Sequence, residues 1–184
     1  TTEIYTLSLH DALPILIARA IHQLSPRKDR ELIDVNCAAI PKDLLESELF
    51  GHEPNSFTGA KDRYIGRCER AHLSTLFLDE IAEMEYNLQA KILRFLQDYS
   101  LYRVGGRERV TVDIRVISAT NRNPLDAIRD QRFREDLYYR LNVVNIETPP
   151  LREHAEDIPE LADFFLQKYS AEHGKPFQSI ADNA

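Results

Sequence analysis

Glycine is scarce in this chain, and none occurs before Gly51. The sequence has 6 glycines in 184 residues, and no lysine precedes Lys28. A loop that cradles phosphate needs glycines, so that backbone amides can approach the phosphate oxygens, and it usually contributes a lysine as well. Neither a backbone phosphate cradle nor a phosphate-binding lysine is therefore expected at the amino end.

Other scarcities narrow the class of protein. The 2 cysteines, Cys37 and Cys68, have no metal-ligand spacing. This argues against a disulfide framework and against a zinc site, and it indicates reduced thiols. No stretch approaches the roughly 18 apolar residues of a membrane helix, and residues 1–15 lack the basic start of a secretion signal. We therefore expect a cytoplasmic protein with no membrane partner.

The chain also carries an excess of negative charge. With 23 basic and 30 acidic residues, its formal net charge is −7. Such a balance argues against binding of nucleic acid by this segment alone. Contact with DNA is expected only through a domain that this sequence does not contain.

Apolar periodicity predicts alternating helices and strands. Helical spacing predicts helices over residues 15–24, 41–50, 87–98 and 158–169, and apolar runs predict strands over 31–35, 75–78 and 114–119. In the first helix the apolar face is expected to comprise Ile17, Ala20, Ile21 and Leu24. Gly105-Gly106 between two short strand-like segments predicts a hairpin. The alternation predicts an α/β fold with a parallel sheet covered by helices, and a domain boundary near Pro149.

Two adjacent acids follow the apolar strand at 75–78. An acid at a strand end can bind magnesium, directly or through water, while its neighbour orients and deprotonates an attacking water. Asp79 and Glu80 fit that division of labour. The alternative is that these carboxylates only cap the following helix, and the motif alone does not separate the two.

Further candidates are polar residues at the end of the later strand and a pair of arginines. Thr120 and Asn121 close the strand at 114–119, at the sheet edge where ligands bind, and an asparagine there can sense a γ-phosphate or position water. Alternatively, Asn121 only starts a turn. Arg134 and Arg140 suit a role as arginine fingers, which neutralise charge on a neighbouring subunit's phosphate. The alternative for them is surface salt bridging to nearby acids, Glu135 or Asp136.

The order of these motifs resembles one family. Matching segments lie at residues 16–22, 35–41, 45–53, 56–60, 75–81, 103–106, 119–122, 133–144 and 149–153. Over residues 16–184 the chain resembles the central AAA+ domain of the bacterial enhancer-binding proteins, the activators of sigma-54 RNA polymerase. The most specific element is Phe57-Thr58-Gly59-Ala60. The resemblance implies a P-loop-type parallel sheet between helices over 16–149 and the start of a helical lid over 150–184.

The resemblance also implies roles at the sheet edge, with ATP and Mg2+ as cofactors. Asp79 and Glu80 match the Walker B residues that bind magnesium and activate water. Asn36 matches the asparagine that pairs with that glutamate as a nucleotide-state switch. Thr120 and Asn121 fall at the sensor I position, where Asn121 would contact the nucleotide.

Partners follow from the same resemblance. Arg134 and Arg140 match two arginines offered in trans to the ATP of the neighbouring subunit, which implies a ring, a hexamer by family precedent. Phe57, Thr58 and Gly59 match the loop tip that contacts sigma-54, and residues 103–107 match a second pore-side loop. The implied function is ATP hydrolysis coupled to remodelling of sigma-54 RNA polymerase, so that open complexes form.

The chain departs from the family at three places. Residues 1–15 resemble nothing in the family and stand where a Walker A loop is expected, which suggests a truncated reading frame with a foreign, adapter-derived lead-in. We therefore expect this fragment to bind ATP poorly and to be catalytically defective. Asn55 and Ser56 replace the usual glycine and alanine of the loop, and Leu73-Ser74 replaces two glycines. Most of the lid and any DNA-binding domain are expected to lie beyond Ala184.

Two rival functions remain open. The first is a nucleotide-independent module that still binds sigma-54 or joins a ring but hydrolyses nothing, and the lack of a Walker A loop favours it. The second is a different AAA+ remodeller or loader, which the segment 56–60 disfavours.

Overall fold

A five-stranded parallel sheet organises the larger part of the molecule. The computed structural model describes residues 4–9, 14–148, 153 and 155–174. Within them the sheet has the strand order β2 (Ile33–Asn36), β3 (Thr75–Asp79), β6 (Arg115–Thr120), β1 (Ile4–Leu9) and β7 (Val144–Thr148). All four neighbouring pairs are parallel. The carboxyl ends of the strands therefore meet at one edge, where the connections to the following helices begin.

The elements follow one another along the chain with short connections. The sheet strands are β1 (Ile4–Leu9), β2 (Ile33–Asn36), β3 (Thr75–Asp79), β6 (Arg115–Thr120) and β7 (Val144–Thr148). A separate antiparallel hairpin comprises β4 (Ser100–Tyr102) and β5 (Arg109–Thr111). The helices are α1 (Pro14–Gln23), α2 (Lys42–Phe50), α3 (Arg67–Arg70), α4 (Tyr86–Asp98), α5 (Pro124–Arg129), α6 (Glu135–Leu141) and α7 (Ile158–His173), with 3₁₀ turns at Ile81–Glu83 and Ala155–Asp157.

Apolar side chains pack on both faces of the sheet. Because successive side chains of a strand point to opposite faces, Leu76 and Leu78 of β3 join a large cluster with α2, α4 and α6, whereas Phe77 joins a smaller one. The smaller cluster includes Ala18 of α1 and Ile117 of β6. Burial of each such large side chain stabilises the fold by about 1.5–3 kcal/mol. Helices thus cover both faces, as the predicted sandwich requires.

The amino-terminal elements differ from what the sequence predicted. Residues 4–9 form the strand between β6 and β7, and no strand was expected there. The apolar face predicted for α1 is confirmed only in part. Ile17 and Ile21 pack against the smaller cluster, but Leu24 is 89% exposed and Ala20 is exposed, while Ala18 and His22 are buried. His22 faces inward since its ring bonds the Thr75 hydroxyl at 2.9 Å and the Arg30 carbonyl at 2.8 Å.

The chain divides into two compact units, residues 1–148 and 149–184. In the second unit, α7 begins with Pro159 near its first turn, where proline is tolerated because the amide there has no helical partner. It ends at Gly174, whose φ of 63° is the left-handed conformation that glycine adopts at low cost. Among the described residues, no helix has the length and apolarity needed to cross a membrane.

Candidate functional site

Polar side chains from neighbouring strands meet at the carboxyl edge of the sheet. The register pairs Asn36, the last residue of β2, with Asp79, the last residue of β3. The Asn36 amide nitrogen donates to Asp79 Oδ2 at 3.2 Å. The Asn36 side-chain oxygen accepts from the amides of Ala38 and Ala39 at 3.0 and 2.9 Å, which fixes the orientation of the amide. Asn36 therefore presents one donor to the carboxylate of Asp79.

Glu80 lies one residue beyond the strand in an unusual conformation. Its φ of 54° and ψ of 42° are left-handed, which is uncommon for a residue with a side chain. Glu80 Oε1 accepts from the Asn121 amide nitrogen at 2.9 Å. Glu80 Oε2 is buried and has no hydrogen-bond partner in the part of the chain that the structure describes. The left-handed turn thus places next to Asp79 a buried carboxylate oxygen that no hydrogen bond from the described residues satisfies.

The amide partners at this edge differ from those that the resemblance implies. Asn36 was expected to pair with Glu80, but in this structure it bonds Asp79, and Asn121 bonds Glu80 instead. The capping alternative for the two acids is wrong, because neither the 3₁₀ turn after Glu80 nor α4 has a side-chain cap. Asn123, not Asn121, caps α5, by accepting from Leu125 N.

Burial changes the titration of both acids. Burial raises the pKa of Asp79, although hydrogen bonds from the Glu80 amide and from Asn36 oppose the shift. Burial, and then the nearby charge of Asp79, raise the pKa of Glu80. Two carboxylates that are partly removed from water disfavour each other's ionised form. The site therefore favours a proton or a cation near Glu80 Oε2.

Thr120 is the last residue of β6, next to β3 in the sheet, and its hydroxyl already takes part in a hydrogen bond within the chain. It is 3% exposed, and its hydroxyl oxygen accepts from the Arg122 amide at 3.2 Å. Arg122 in turn forms an ion pair with Glu83 of the 3₁₀ turn. Thr120 thus shapes the turn that carries Asn121.

The two finger candidates, Arg134 and Arg140, form their hydrogen bonds with residues other than Asp79 and Glu80. Arg134 precedes α6, and its guanidinium donates to both carboxylate oxygens of Asp136, at 2.9 and 2.8 Å. It also lies over the ring of Tyr86, 5.1 Å from the centroid. The salt-bridge alternative for Arg134 is therefore present in the single chain. Arg140 instead donates to the Leu96 carbonyl at 3.2 and 2.7 Å, where the carboxyl end of a helix favours a cation.

The Phe-Thr-Gly-Ala segment is an exposed loop closed by backbone bonds. Asn55 N donates to Ala60 O at 2.7 Å, and Ala60 N donates to Phe57 O at 3.0 Å. Asn55 has a φ of 62°, and Gly59 has a φ of 103°. Asparagine adopts the left-handed region more readily than most residues, so it can replace the usual glycine. Thr58 is exposed.

Phe57 is half exposed, and the second departure in the loop, Ser56, packs against the hairpin. The Phe57 ring packs edge-on against His52, with centroids 5.0 Å apart, and it is 41% exposed. A Cβ added to Gly105 would lie 2.6 Å from the Cβ of Ser56, so the two backbones approach closely. The Ser56 hydroxyl is buried without a partner among the described residues. A hydroxyl buried in this way opposes the packed position of the loop.

Arg103 ties the base of this loop to the hairpin. Its side chain is 2% exposed and contacts three carboxylates: Glu69 at 2.7 Å, Glu53 at 3.0 Å and Glu108 at 3.2 Å. Such a buried cation is tolerated only when it is paired. Arg103 was expected to belong to a second pore-side loop with residues 104–107, and the structure buries its side chain. The exposed part of that segment is the turn that follows it.

Gln89 is a buried polar residue that was not among the candidates predicted from the sequence. It is fully buried in α4, and its side chain joins two other segments of the chain. One signal was available: Gln89 occupies the apolar stripe of α4 formed by Leu88, Ile92 and Leu96. A polar residue in an apolar stripe must find partners when it is buried.

The fold and the site define a class of protein. A parallel sheet of this order between helices, with two acids at the carboxyl end of β3, is the AAA+ arrangement. Residues 15–147 match the Sigma-54 interaction domain. The chain belongs to this family of domains, which are found in transcriptional regulators. The predicted family and fold class are confirmed.

Several proteins of known name are similar to it. The chain is 53% identical over 169 residues to the Nif-specific regulatory protein of Herbaspirillum seropedicae, covering 92% of this chain and 31% of that protein. It is 54% identical over 169 residues to FlbD of Caulobacter vibrioides, covering 92% and 37%. A crystal structure of NtrX from Brucella abortus matches with a TM-score of 0.89 at 40% identity, covering 98% and 40%. Another NtrX structure, with a TM-score of 0.87, is a complex with ATP. The chain spans about a third of the length of these curated relatives.

Glu80→Gln is expected to stabilise the protein at high pH and not at low pH. The pKa of Glu80 is raised in the folded state from its ordinary value of 4.5. The folded state therefore binds a proton more tightly than the unfolded state. It loses stability as the pH rises from the unfolded-state pKa of Glu80 to its higher folded-state pKa. Glutamine keeps an acceptor for Asn121 and carries no charge. Urea unfolding at about pH 8 should show a higher midpoint for the variant, and the difference should vanish at about pH 3.5.

The control is Glu31→Gln, an exposed carboxylate on the surface. It should change the midpoint little at either pH. A Glu80→Gln variant that is less stable than the parent at about pH 8 would show that the folded site favours the charged form of Glu80.

Proposed function

We propose that this chain is the motor domain of a sigma-54-dependent transcription activator, and that the sheet edge at Asp79 and Glu80 is its hydrolytic centre. The observation that carries the proposal is Glu80 Oε2, a buried oxygen next to Asp79 that has no hydrogen-bond partner among the described residues, while Asn121 donates to the other oxygen. A general base needs a lone pair that no donor occupies and a raised pKa, and Glu80 has both. Membership of the Sigma-54 interaction domain family supports the assignment.

The donor set at this edge fits magnesium. Mg2+ prefers oxygen ligands and usually keeps several waters while it binds one or two carboxylates. Asp79 supplies a partly buried carboxylate whose orientation Asn36 and the Glu80 amide fix. In the described residues there is no cluster of three or more His, Cys, Asp and Glu side chains that would hold a metal without other ligands. When bound, the ion would neutralise charge on phosphate oxygens.

The residues present do not fit the triphosphate of ATP. In the sequence, only residues 10–13 connect β1 to α1, and they are His10, Asp11, Ala12 and Leu13. A phosphate loop at this connection needs glycines and a lysine, and none is there. We therefore assign weak nucleotide binding to the chain with this sequence, and hydrolysis to a form that carries a phosphate loop.

A second candidate function rests on the same connection. Without a phosphate loop, the chain still carries the exposed Phe57-Thr58-Gly59 tip and both finger candidates. It would then bind sigma-54, or join a ring and offer Arg134 and Arg140 to a neighbour, without hydrolysing nucleotide. The partners of both candidates are sigma-54 RNA polymerase and other copies of the domain.

The chain as it stands is expected to bind ATP weakly, because backbone donors and a lysine for the β- and γ-phosphates are missing. Titration with a fluorescent ATP analogue and magnesium should show no binding in the micromolar range. Replacement of residues 10–13 by a glycine-rich loop with its lysine should restore binding.

The same loop with alanine in place of its lysine is the control, and it should restore much less affinity. Micromolar affinity of the unchanged chain would contradict the proposal, since the binding would then need another phosphate site.

Thr58→Ala in the loop-restored protein is expected to separate hydrolysis from activation. Thr58 is exposed at the loop tip, in the connection between α2 and α3 and not in the strand ends that carry Asp79, Glu80 and Asn121. ATP hydrolysis should stay within about twofold of the parent, while capture of sigma-54 with a transition-state analogue should be lost. ATPase rate, capture and open-complex formation are measured in parallel.

Thr111→Ala, an exposed threonine on β5, is the matched control and should leave all three measurements unchanged. Normal open-complex formation by Thr58→Ala would mean that this chain uses another surface for its partner.

A further inference from the structure

Gln89 joins three segments of the chain through one buried amide. It is 0% exposed. Its side-chain nitrogen donates to the carbonyls of Met84 and Arg132, both at 2.8 Å. Its side-chain oxygen accepts from the backbone amide of Arg134 at 2.9 Å. Both hydrogens of the amide group and its oxygen are therefore used, which is how a buried polar group is tolerated in an apolar core.

The hydrogen bonds of Gln89 connect two regions that the proposed mechanism uses: the turn after Glu80 and the segment that carries Arg134. Met84 closes the 3₁₀ turn that follows Glu80, since its amide donates to Ile81 O at 3.3 Å. Arg132 and Arg134 belong to the segment that leads into α6 and carries the first finger candidate. Gln89 thus connects the backbone after the acidic pair to the backbone at the finger.

The backbone amide of Arg134 has no partner within its own helix. Arg134 is the residue before α6, and amides at the start of a helix lack helical acceptors. Gln89 Oε1 supplies the acceptor. The neighbouring amides of Arg132 and Phe133 both donate to Ala127 O, at 2.9 and 3.0 Å, so they hold the segment to α5 and not to α4.

The side chain of Arg134 is held separately. Asp136 and the Tyr86 ring orient its guanidinium, and both contacts can break when a phosphate competes for the cation. Its backbone anchor is buried and cannot be exchanged with solvent in the same way. Gln89 therefore fixes the position of the Arg134 backbone, from which the guanidinium extends to either partner.

We propose that Gln89 is a positioning residue that fixes the backbone of Arg134 to the segment after Glu80, so that the finger of each subunit moves with that subunit's own acidic pair. The proposal rests on the assignment of Arg134 as a finger and names the residue that places it. Leucine or methionine would fill the same core position, but neither would make the three hydrogen bonds.

Amide hydrogen exchange of the unchanged chain and of Gln89→Met tests the anchor without any nucleotide. Methionine keeps the length of the side chain and removes its donors and acceptor. Exchange at the Arg134 amide should rise about tenfold or more, while the amides of β3 and β6 stay as in the parent. Gln97→Met, on the exposed face of the same helix, is the matched control and should change neither.

The proposal would be overturned if the exchange rate of the Arg134 amide did not change, or if exchange rates rose uniformly across β3 and β6. Gln89 would then contribute only to general stability. If Gln89→Met gives no folded protein, Gln89→Asn makes the same comparison. Asparagine keeps the amide but is one methylene too short to reach Arg132 and Arg134 together.

A double-mutant cycle in the loop-restored protein tests the consequence for hydrolysis. Gln89→Met should lower kcat with KM for ATP unchanged, and adding it to Arg134→Ala should lower kcat no further. Additive effects would show that Gln89 does not act through Arg134. If the loop-restored parent hydrolyses no ATP, the proposed function fails, while the exchange experiment still decides the role of Gln89.

Discussion

The parallel pairing of β2, β3 and β6 is the constraint on which the rest of the site depends. It places the last residues of neighbouring strands side by side, so that Asn36 meets Asp79 in register. Each strand then turns into a connection that carries another polar residue, Glu80 after β3 and Asn121 after β6. A slip of one residue would turn every side chain of a strand to the other face, and the acidic edge would be lost.

Glu80 is the residue at this edge of the sheet that lowers the stability of the folded state. Its left-handed backbone opposes stability, and so does its buried Oε2, which has no partner in the described part of the chain. The nearby charge of Asp79 adds to both effects. The surrounding structure offsets this cost by burial of Leu76, Phe77 and Leu78 in the preceding strand. Strain of this kind, held in place by a well-packed scaffold, is common where a side chain must be ready to react. The same scaffold extends into α4, which contacts both finger candidates through Gln89 and the Leu96 carbonyl.

Much of the fold follows from sequence patterns, and particular residues show why. The apolar run ending at Asp79 predicts β3 because a strand buried on both faces is continuously apolar. The stripe of Leu88, Ile92 and Leu96 predicts α4 because a helix buried on one face repeats its apolar residues at helical spacing. The strand at residues 4–9 was missed, although Tyr5, Leu7 and Leu9 alternate with Thr6 and Ser8, because its partners lie more than a hundred residues away in the sequence. The exposed Leu24 misled the prediction for α1, since an apolar residue on the surface looks like a core residue in sequence.

The candidate site was predictable as a set of residues but not as a set of contacts. Asp79, Glu80 and Asn121 are recognisable because polar residues end two apolar strands. Which amide bonds which carboxylate depends on strand order and on the left-handed turn at Glu80, and neither is encoded in local spacing. The same holds for the burial of Arg103, which needs acids from three separate segments.

We propose that Asp79 and Glu80 of one subunit and the finger candidates Arg134 and Arg140 of the next act at a shared interface. The most direct test mixes two loop-restored variants, Glu80→Gln and Arg134→Ala, each of which should hydrolyse little ATP alone. When the two variants are mixed in equal amounts and assemble at random, one interface in four combines an intact Glu80 with an intact Arg134. ATPase activity should then recover to roughly a quarter of the parent rate. A mixture that stays as inactive as its components would contradict the account, because it would place both residues in the same subunit's chemistry.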